Sequence, residues 1–279
     1  MFANKMRLLP HEARDAFTEK NDFSFTQNCI MVCQRGSQVY GMSTALSDED
    51  YFAVIIPPAE QFLGLKMFDS WTYQYNDIDV VVFSLRKYIG LLLNSNPTML
   101  ETLWYREIDY CDMETTSAFL NIRRNRNLFS SILAAGSFSG YAHNQLERME
   151  HNVTSRRMGA KRRRIMDKFG YDTKNASHLV RLYRMGLEFV ETGKLTVYRP
   201  DREELLAIKN GEWSLDEIKA EAARLEERMC EAKEKSPLPA EPSTHVVEKL
   251  LINLTLEHIK NQNSTRMDSR SINPYKFTT

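Results

Sequence analysis

Four cysteines among 279 residues are too few and too scattered for a disulfide framework or a zinc site. Only Cys29 and Cys33 lie near each other, and on one strand they would share a face yet sit too far apart to bridge. They read as reduced core-filling thiols in a cytoplasmic protein, so sequons such as Asn152-Val153-Thr154 carry no weight. Net charge is missing too, since 37 Lys and Arg balance 37 Asp and Glu. No global field therefore draws the chain to nucleic acid, and any basic surface must be local. No apolar run approaches membrane-spanning length, and residues 1–10 lack the apolar stretch of a signal peptide. Internal repeats are absent, and Gly36 and Gly41 do not fit the GxxxxGK phosphate loop. What is left is a chain long enough to bury a sizeable core in one large domain or two modest ones.

Against these absences stands residues 29–54, CIMVCQRGSQVYGMSTALSDEDYFAV. An apolar run leads into Gly36-Ser37, a polar connection follows, and Ser47-Asp48-Glu49-Asp50-Tyr51 opens a second apolar run. The pattern predicts strand, glycine turn, connection, strand. Residues i and i+2 of a strand share a face, so Asp48 and Asp50 stand side by side while Glu49 points away. Paired carboxylates on a rigid strand suit a hard divalent cation, which prefers oxygen ligands and leaves room for phosphates. Glycine at position 36 permits close backbone approach, and free amides at a helix start near Ser37 suit a phosphate. The competing reading is a solvated strand entry.

Gly36-Ser37, ten residues, then Asp48-x-Asp50 resembles the signature of the DNA polymerase β-like nucleotidyltransferases. The fuller string RGSQVYG…SDEDYFAV is similar to one branch, the predicted nucleotidyltransferases associated with RNA-repair gene sets. Glu49 departs from the apolar residue often found between the two acids, but it faces away from the site.

Further along, Pro57-Pro58 ends the second strand, and Phe62-Leu63-Gly64-Leu65 is expected to pack beneath the sheet. Residues 78–83, IDVVVF, predict another strand with Asp79 crowded by β-branched neighbours. A buried carboxylate without a partner costs several kcal/mol, roughly. The functional reading is that Asp79 joins Asp48 and Asp50 across neighbouring strands, with Asp77 the fallback; the plain reading is a strand end facing water. Residues 85–94 predict a helix, broken at Asn94-Ser95-Asn96-Pro97. This stretch, and the residues 98–104 after it, again resemble the family.

Strand signals stop after residue 115. Residues 127–151 read as helical. The basic run at residues 156–164, ending in Arg162-Arg163-Arg164, is either a solvated charge run or a contact with the phosphates of RNA or of a triphosphate. A helix then reaches about residue 192, on which Lys174, His178 and Arg181 fall at i, i+4 and i+7 and share a face. That face reads as an anion-binding rail or as an ordinary solvated surface. YDTKNASHLVRLYRMGLE with Arg199-Pro200-Asp201-Arg202-Glu203-Glu204-Leu205-Leu206 resembles a second block of the family. A charged helix over 213–235, a proline-rich linker at 236–243 and an amphipathic helix over 246–259 follow.

The expected fold class is α+β: a small mixed-sheet nucleotidyltransferase domain over 1–111 and a helical domain over 112–261, with 262–279 a disordered tail. The resemblance implies transfer of a nucleoside monophosphate from a nucleoside triphosphate to an acceptor, with release of pyrophosphate. It implies two Mg²⁺ or Mn²⁺ ions held by Asp48, Asp50 and Asp79, and phosphates held by Gly36 and Ser37. Lys174, His178 and Arg181 are the helical residues expected at the nucleotide. The acceptor it points to is an RNA end, contacted by Arg162, Arg163 and Arg164; a protein hydroxyl or a small molecule are alternatives. A non-catalytic nucleotide- or RNA-binding protein on the same fold is the rival from another class, and an interaction scaffold on the charged C-terminal helices is a third.

Overall fold

A computed structural model of the chain describes residues 9–44, 47–75, 78–111, 116–151 and 160–271. Two short helices come first, α1 (His11–Asn21) and α2 (Phe25–Asn28), the second capped by Ser24 accepting from the Gln27 amide. The opening segment is thus two helices, because Asp22 adopts a left-handed conformation that ends the first.

Four strands follow, β1 (Cys29–Gln34), β2 (Glu49–Ile55), β3 (Ser70–Tyr75) and β4 (Ile78–Ser84), in the order β1-β2-β4-β3. β2 and β4 are parallel, while β1 and β3 pair antiparallel with them. The expected mixed sheet is therefore present. Its two central strands are apolar runs because both faces are covered. Tyr51, Ala53 and Ile55 face a cluster built on Phe17 of α1, where Phe23, Phe25, Phe68 and Trp71 meet that ring edge-on. Phe52 and Val54 face the larger core shared with the helices. One end of β2 escapes this covering: Glu49 is exposed and Asp50 half-buried, while Tyr51 onward is buried.

β3 was not expected, although Trp71, Tyr73 and Tyr75 alternate before Asn76-Asp77 as an edge strand of a hairpin should. Between β2 and β3 lies the single-turn α3 (Ala59–Phe62). The apolar residues after it do not pack under the sheet: Leu63 is largely exposed and Leu65 fully so.

α4 (Leu85–Leu93), capped by Ser84, buries Leu85, Tyr88, Ile89 and Leu92, and Asn96 caps the turn α5 (Pro97–Leu100). Beyond the expected boundary at 111 the chain still pairs with β1, since the Cys111 amide donates to Val32 O and the Thr116 amide to Ile30 O. α6 (Ser117–Arg124), α7 (Leu133–His151), α8 (Ala160–Phe169) and α9 (Thr173–Thr192) come next. α9 is the hub, with α7, α10 (Arg202–Lys209) and α11 (Leu215–Lys235) packed on it. Its first turn is capped by the Asp172 carboxylate, and Gly193 ends it in a left-handed turn.

Arg199 and Arg184 lace these helices together. Arg199 reaches Glu188 at 3.0 Å and Asp201 at 2.8 Å, and Arg184 reaches Asp201, Glu204 and Glu221. Burial pushes the Asp201 carboxyl up, but hydrogen bonds from Arg199 and Arg184 hold it below the usual range. The distinctive Arg199–Leu206 stretch thus earns its residues structurally. α12 (Thr244–Ser271) closes the chain, and helix continues as far as Ser271 where a disordered tail was expected from 262.

Candidate active site

The site lies at the uncovered end of β2 and β4. Parallel pairing sets Asp50 directly opposite Asp79, so both carboxylates stand on the same face of the sheet, next to each other. On the far side of Asp79, Gln74 of β3 is its antiparallel partner. Asp48 is exposed and immediately precedes β2, close enough to raise the proton affinity of Asp50. Asp77, the fallback third acid, lies outside the described residues.

On the other flank is the Gly36 turn. A 3-10 turn over Gly36–Gln38 leaves β1, and the Arg35 amide donates to Asp50 O at 3.0 Å. Gly36 has φ +72°, and a Cβ there would lie 2.5 Å from Asp50 Oδ2. Only glycine lets the turn close onto the carboxylate. A pocket of about 330 Å³ opens over this end of the sheet, lined by Arg35, Asp50, Thr72, Gln74, Asp79 and Val81 among others.

Burial pushes the Asp50 carboxyl above its ordinary value; Arg35 opposes this, Asp79 adds to it, Lys174 opposes and Asp48 adds. Burial is the largest cause of that rise, and the three carboxylates Asp48, Asp50 and Asp79 outnumber the cations Arg35 and Lys174 beside them, a balance that suits a hard cation. Lys174, from α9, is close enough to lower the proton affinity of Asp50. Among the described residues no three His, Cys, Asp or Glu side chains already converge as a closed ligand set. Oxygen donors, the opposed pair and the surplus charge nonetheless fit Mg²⁺ or Mn²⁺.

The expected cationic face of α9 is graded. Lys174 is exposed, His178 is half-buried, and Arg181 is buried at 5 % exposure. Burial drives the His178 imidazole down to about 3, helped by Arg181, Lys174, Lys209 and Arg148, so it is neutral at pH 7. Arg181 corrects the expectation of a phosphate contact: it lies over the Tyr40 ring at 3.7 Å and reaches Glu101 Oε2 at 3.5 Å. Lys209 of α10 and Arg148 of α7, which no motif marked, stand near His178 instead. Their signal is tertiary, since three separate helices bring the charges together. Of the basic run, residues 156–159 and the side chain of Arg162 lie outside the described residues; Arg163 and Arg164 are exposed on α8.

Among the described residues, no helix is long and apolar enough to cross a membrane. No curated protein matches the sequence. A solved nucleotidyltransferase-like protein from Exiguobacterium sibiricum 255-15 aligns over 80 % of this chain and 74 % of its own, at 10 % identity and a TM-score of 0.28. The family model described as RlaP, RNA repair pathway DNA polymerase beta family, matches residues 7–253, nearly the whole chain. With the opposed carboxylates beside the glycine turn, the chain belongs to this RNA-repair-linked family of polymerase β-like proteins.

Proposed function

We propose that this protein transfers a nucleoside monophosphate from a nucleoside triphosphate to an acceptor hydroxyl, most naturally on an RNA end, with pyrophosphate as the leaving group. The observation that carries this reading is the placement of Asp50 opposite Asp79, with Gly36 packed against the first and Lys174 close enough to lower its proton affinity. Each part has a task. Gly36 and Ser37 bring backbone amides and a hydroxyl to the β- and γ-phosphates. Lys174 offsets the charge of the triphosphate from the helical side. His178, kept neutral among cations, donates one hydrogen bond without adding charge, to a phosphate oxygen or the ribose. Asp79 lies on the side of the pocket towards β3, beside Gln74 and Thr72; an acceptor entering there would have its attacking hydroxyl oriented by Asp79.

Asp48, Asp50 and Asp79 would hold two Mg²⁺ or Mn²⁺ ions, which supply acidification of the acceptor hydroxyl and neutralisation of the leaving pyrophosphate. The exposed Arg163 and Arg164, with Arg162, suit an acceptor with a phosphate backbone. Incubation with each α-labelled nucleoside triphosphate, Mg²⁺ or Mn²⁺, and either total RNA or protein tests the reading. Label in the RNA pool supports it; label in protein alone moves the acceptor to a protein hydroxyl. No label in any pool, with a triphosphate bound, would favour a sensor on the same fold.

A further inference from the structure

The turn that follows β1 is held from outside the sheet. It closes on itself through the Gly41 amide to Gln38 O and the Met42 amide to Ser37 O. Its second half is then gripped by residues from elsewhere in the chain. Tyr40 is buried, and its hydroxyl donates to Glu101 Oε1 at 2.6 Å. Its carbonyl accepts from the Arg199 amide at 3.2 Å. The Arg181 guanidinium covers its ring. Gly41, at φ +74°, lets the chain press on Tyr198, where a Cβ would lie 2.6 Å from the ring. Met42 O accepts from Lys209 Nζ at 3.5 Å.

Arg181 and Glu101 form a buried ion pair in this arrangement. Glu101 is 2 % exposed, accepts from Tyr40 and from Tyr105, and takes Nη1 of Arg181 on its other oxygen. Burial pushes its carboxyl up, and Arg181 and the Tyr40 hydrogen bond pull it back. Nη1 of Arg181 also reaches Met185 Sδ at 3.2 Å, while its Nε has no hydrogen-bond partner among the described residues. A buried ion pair of this kind is a poor source of net stability, because desolvation offsets the attraction. What it does supply is a fixed plane: a guanidinium held by Glu101 stacks on one ring orientation of Tyr40 and no other.

The geometry points to Arg181 as a positioning residue for nucleotide binding, acting through Tyr40 and Glu101 to hold the turn at residues 36–42 against Asp50. This rests on the reading that the turn receives the triphosphate. It makes seating of α9 and the shape of the phosphate turn one event, so the nucleotide turn is ordered only when the helical region is docked. Lysine at position 181 keeps the charge beside Glu101 and loses the flat stack. Phenylalanine at position 40 keeps the stack and loses the bond to Glu101.

The test is amide hydrogen exchange of Arg181→Lys and Tyr40→Phe beside wild type, with affinity for a non-hydrolysable triphosphate and the KM–kcat split. Exchange at residues 37–42 should rise by about tenfold or more in Arg181→Lys, with β2 and α9 unchanged. Affinity should fall by about tenfold, KM should rise similarly, and kcat should move less. Glu101→Gln/Arg181→Met, which removes both charges together, serves where a single variant fails to fold; it should melt near wild type and show the same loosened turn. Unchanged exchange at 37–42 in these variants overturns the proposal, as does faster exchange spread evenly over β2 and α9. A loosened turn with unchanged triphosphate affinity also overturns it. Failure of the wild-type protein to bind any triphosphate would instead count against the function proposed above, while the exchange data still judge the clamp.

Discussion

Replacing Asp50 with asparagine should make the metal-free protein more stable and abolish transfer. Asp50 and Asp79 are register partners on neighbouring strands, whose backbones lie about 4.8 Å apart. Two like charges at that spacing repel by roughly 0.9 kcal/mol in bulk water and about 3.5 kcal/mol at an effective dielectric of about 20. Arg35 and Lys174 offset part of this, and the site is open on one side. A gain on the order of 1 kcal/mol is the expectation, about 2 °C in Tm for a chain of this length. The pH dependence has a definite sign. Asp50 is held above its ordinary value in the fold, so its destabilising effect is absent below the unfolded carboxyl range and develops as pH rises through the folded value. The advantage of Asp50→Asn should therefore be present at pH 7 and vanish near pH 3. Added Mn²⁺ should reverse the order, stabilising wild type and leaving the variant unmoved. Thermal unfolding at pH 7 and pH 3, with EDTA and then with Mn²⁺, reads all of this. An Asp50→Asn protein that melts below wild type in EDTA, or gains as much from Mn²⁺, would refute the reasoning.

Three further outcomes are expected. Lys174→Ala should raise KM for the triphosphate by about tenfold, the loss of one charged contact, with Tm within about 1 °C; unchanged KM in steady-state kinetics returns Lys174 to a solvated helix face. His178 is neutral in the fold down to about 3 but takes a proton near 6.5 when unfolded, so stability falls as pH drops from 6.5 towards 3. At pH 5 that is about 2 kcal/mol, and urea unfolding of His178→Gln at pH 7 and 5 should lose correspondingly less than wild type; equal losses would contradict it. Arg162, Arg163 and Arg164 changed together to alanine should weaken RNA binding and reduce the salt slope by up to about three contacts, leaving triphosphate affinity alone; an unchanged salt titration makes them a solvated run.

The parts of this molecule legible beforehand were those in which local pattern and tertiary role agree. β1, β2 and β4 are apolar because both faces of the central sheet are covered, and Asp79 stood out as a charge among β-branched residues. α4 and α9 carried caps as well as periodicity. β3 was passed over because its alternation is aromatic and half-exposed, with Trp71 and Tyr73 stacked on one another at 5.4 Å. Arg181 was misplaced for a different reason. Spacing sets which helical residues share a face, but Lys174 is exposed at the start of α9 while Arg181 lies among packed neighbours, so one stripe passes from solvent to core within two turns. Lys209 and Arg148 carry no local mark, because their proximity to His178 exists only once α7, α9 and α10 are packed.

The most direct test of nucleotidyl transfer is the fate of the two ends of the triphosphate. Wild-type protein with Mg²⁺ or Mn²⁺ and an RNA acceptor should move α-phosphate label into RNA and release one pyrophosphate per nucleotide added, carrying all the γ label, with neither event in Asp50→Asn. Transfer of γ label to the acceptor, or bound triphosphate with neither label moving, would contradict the account.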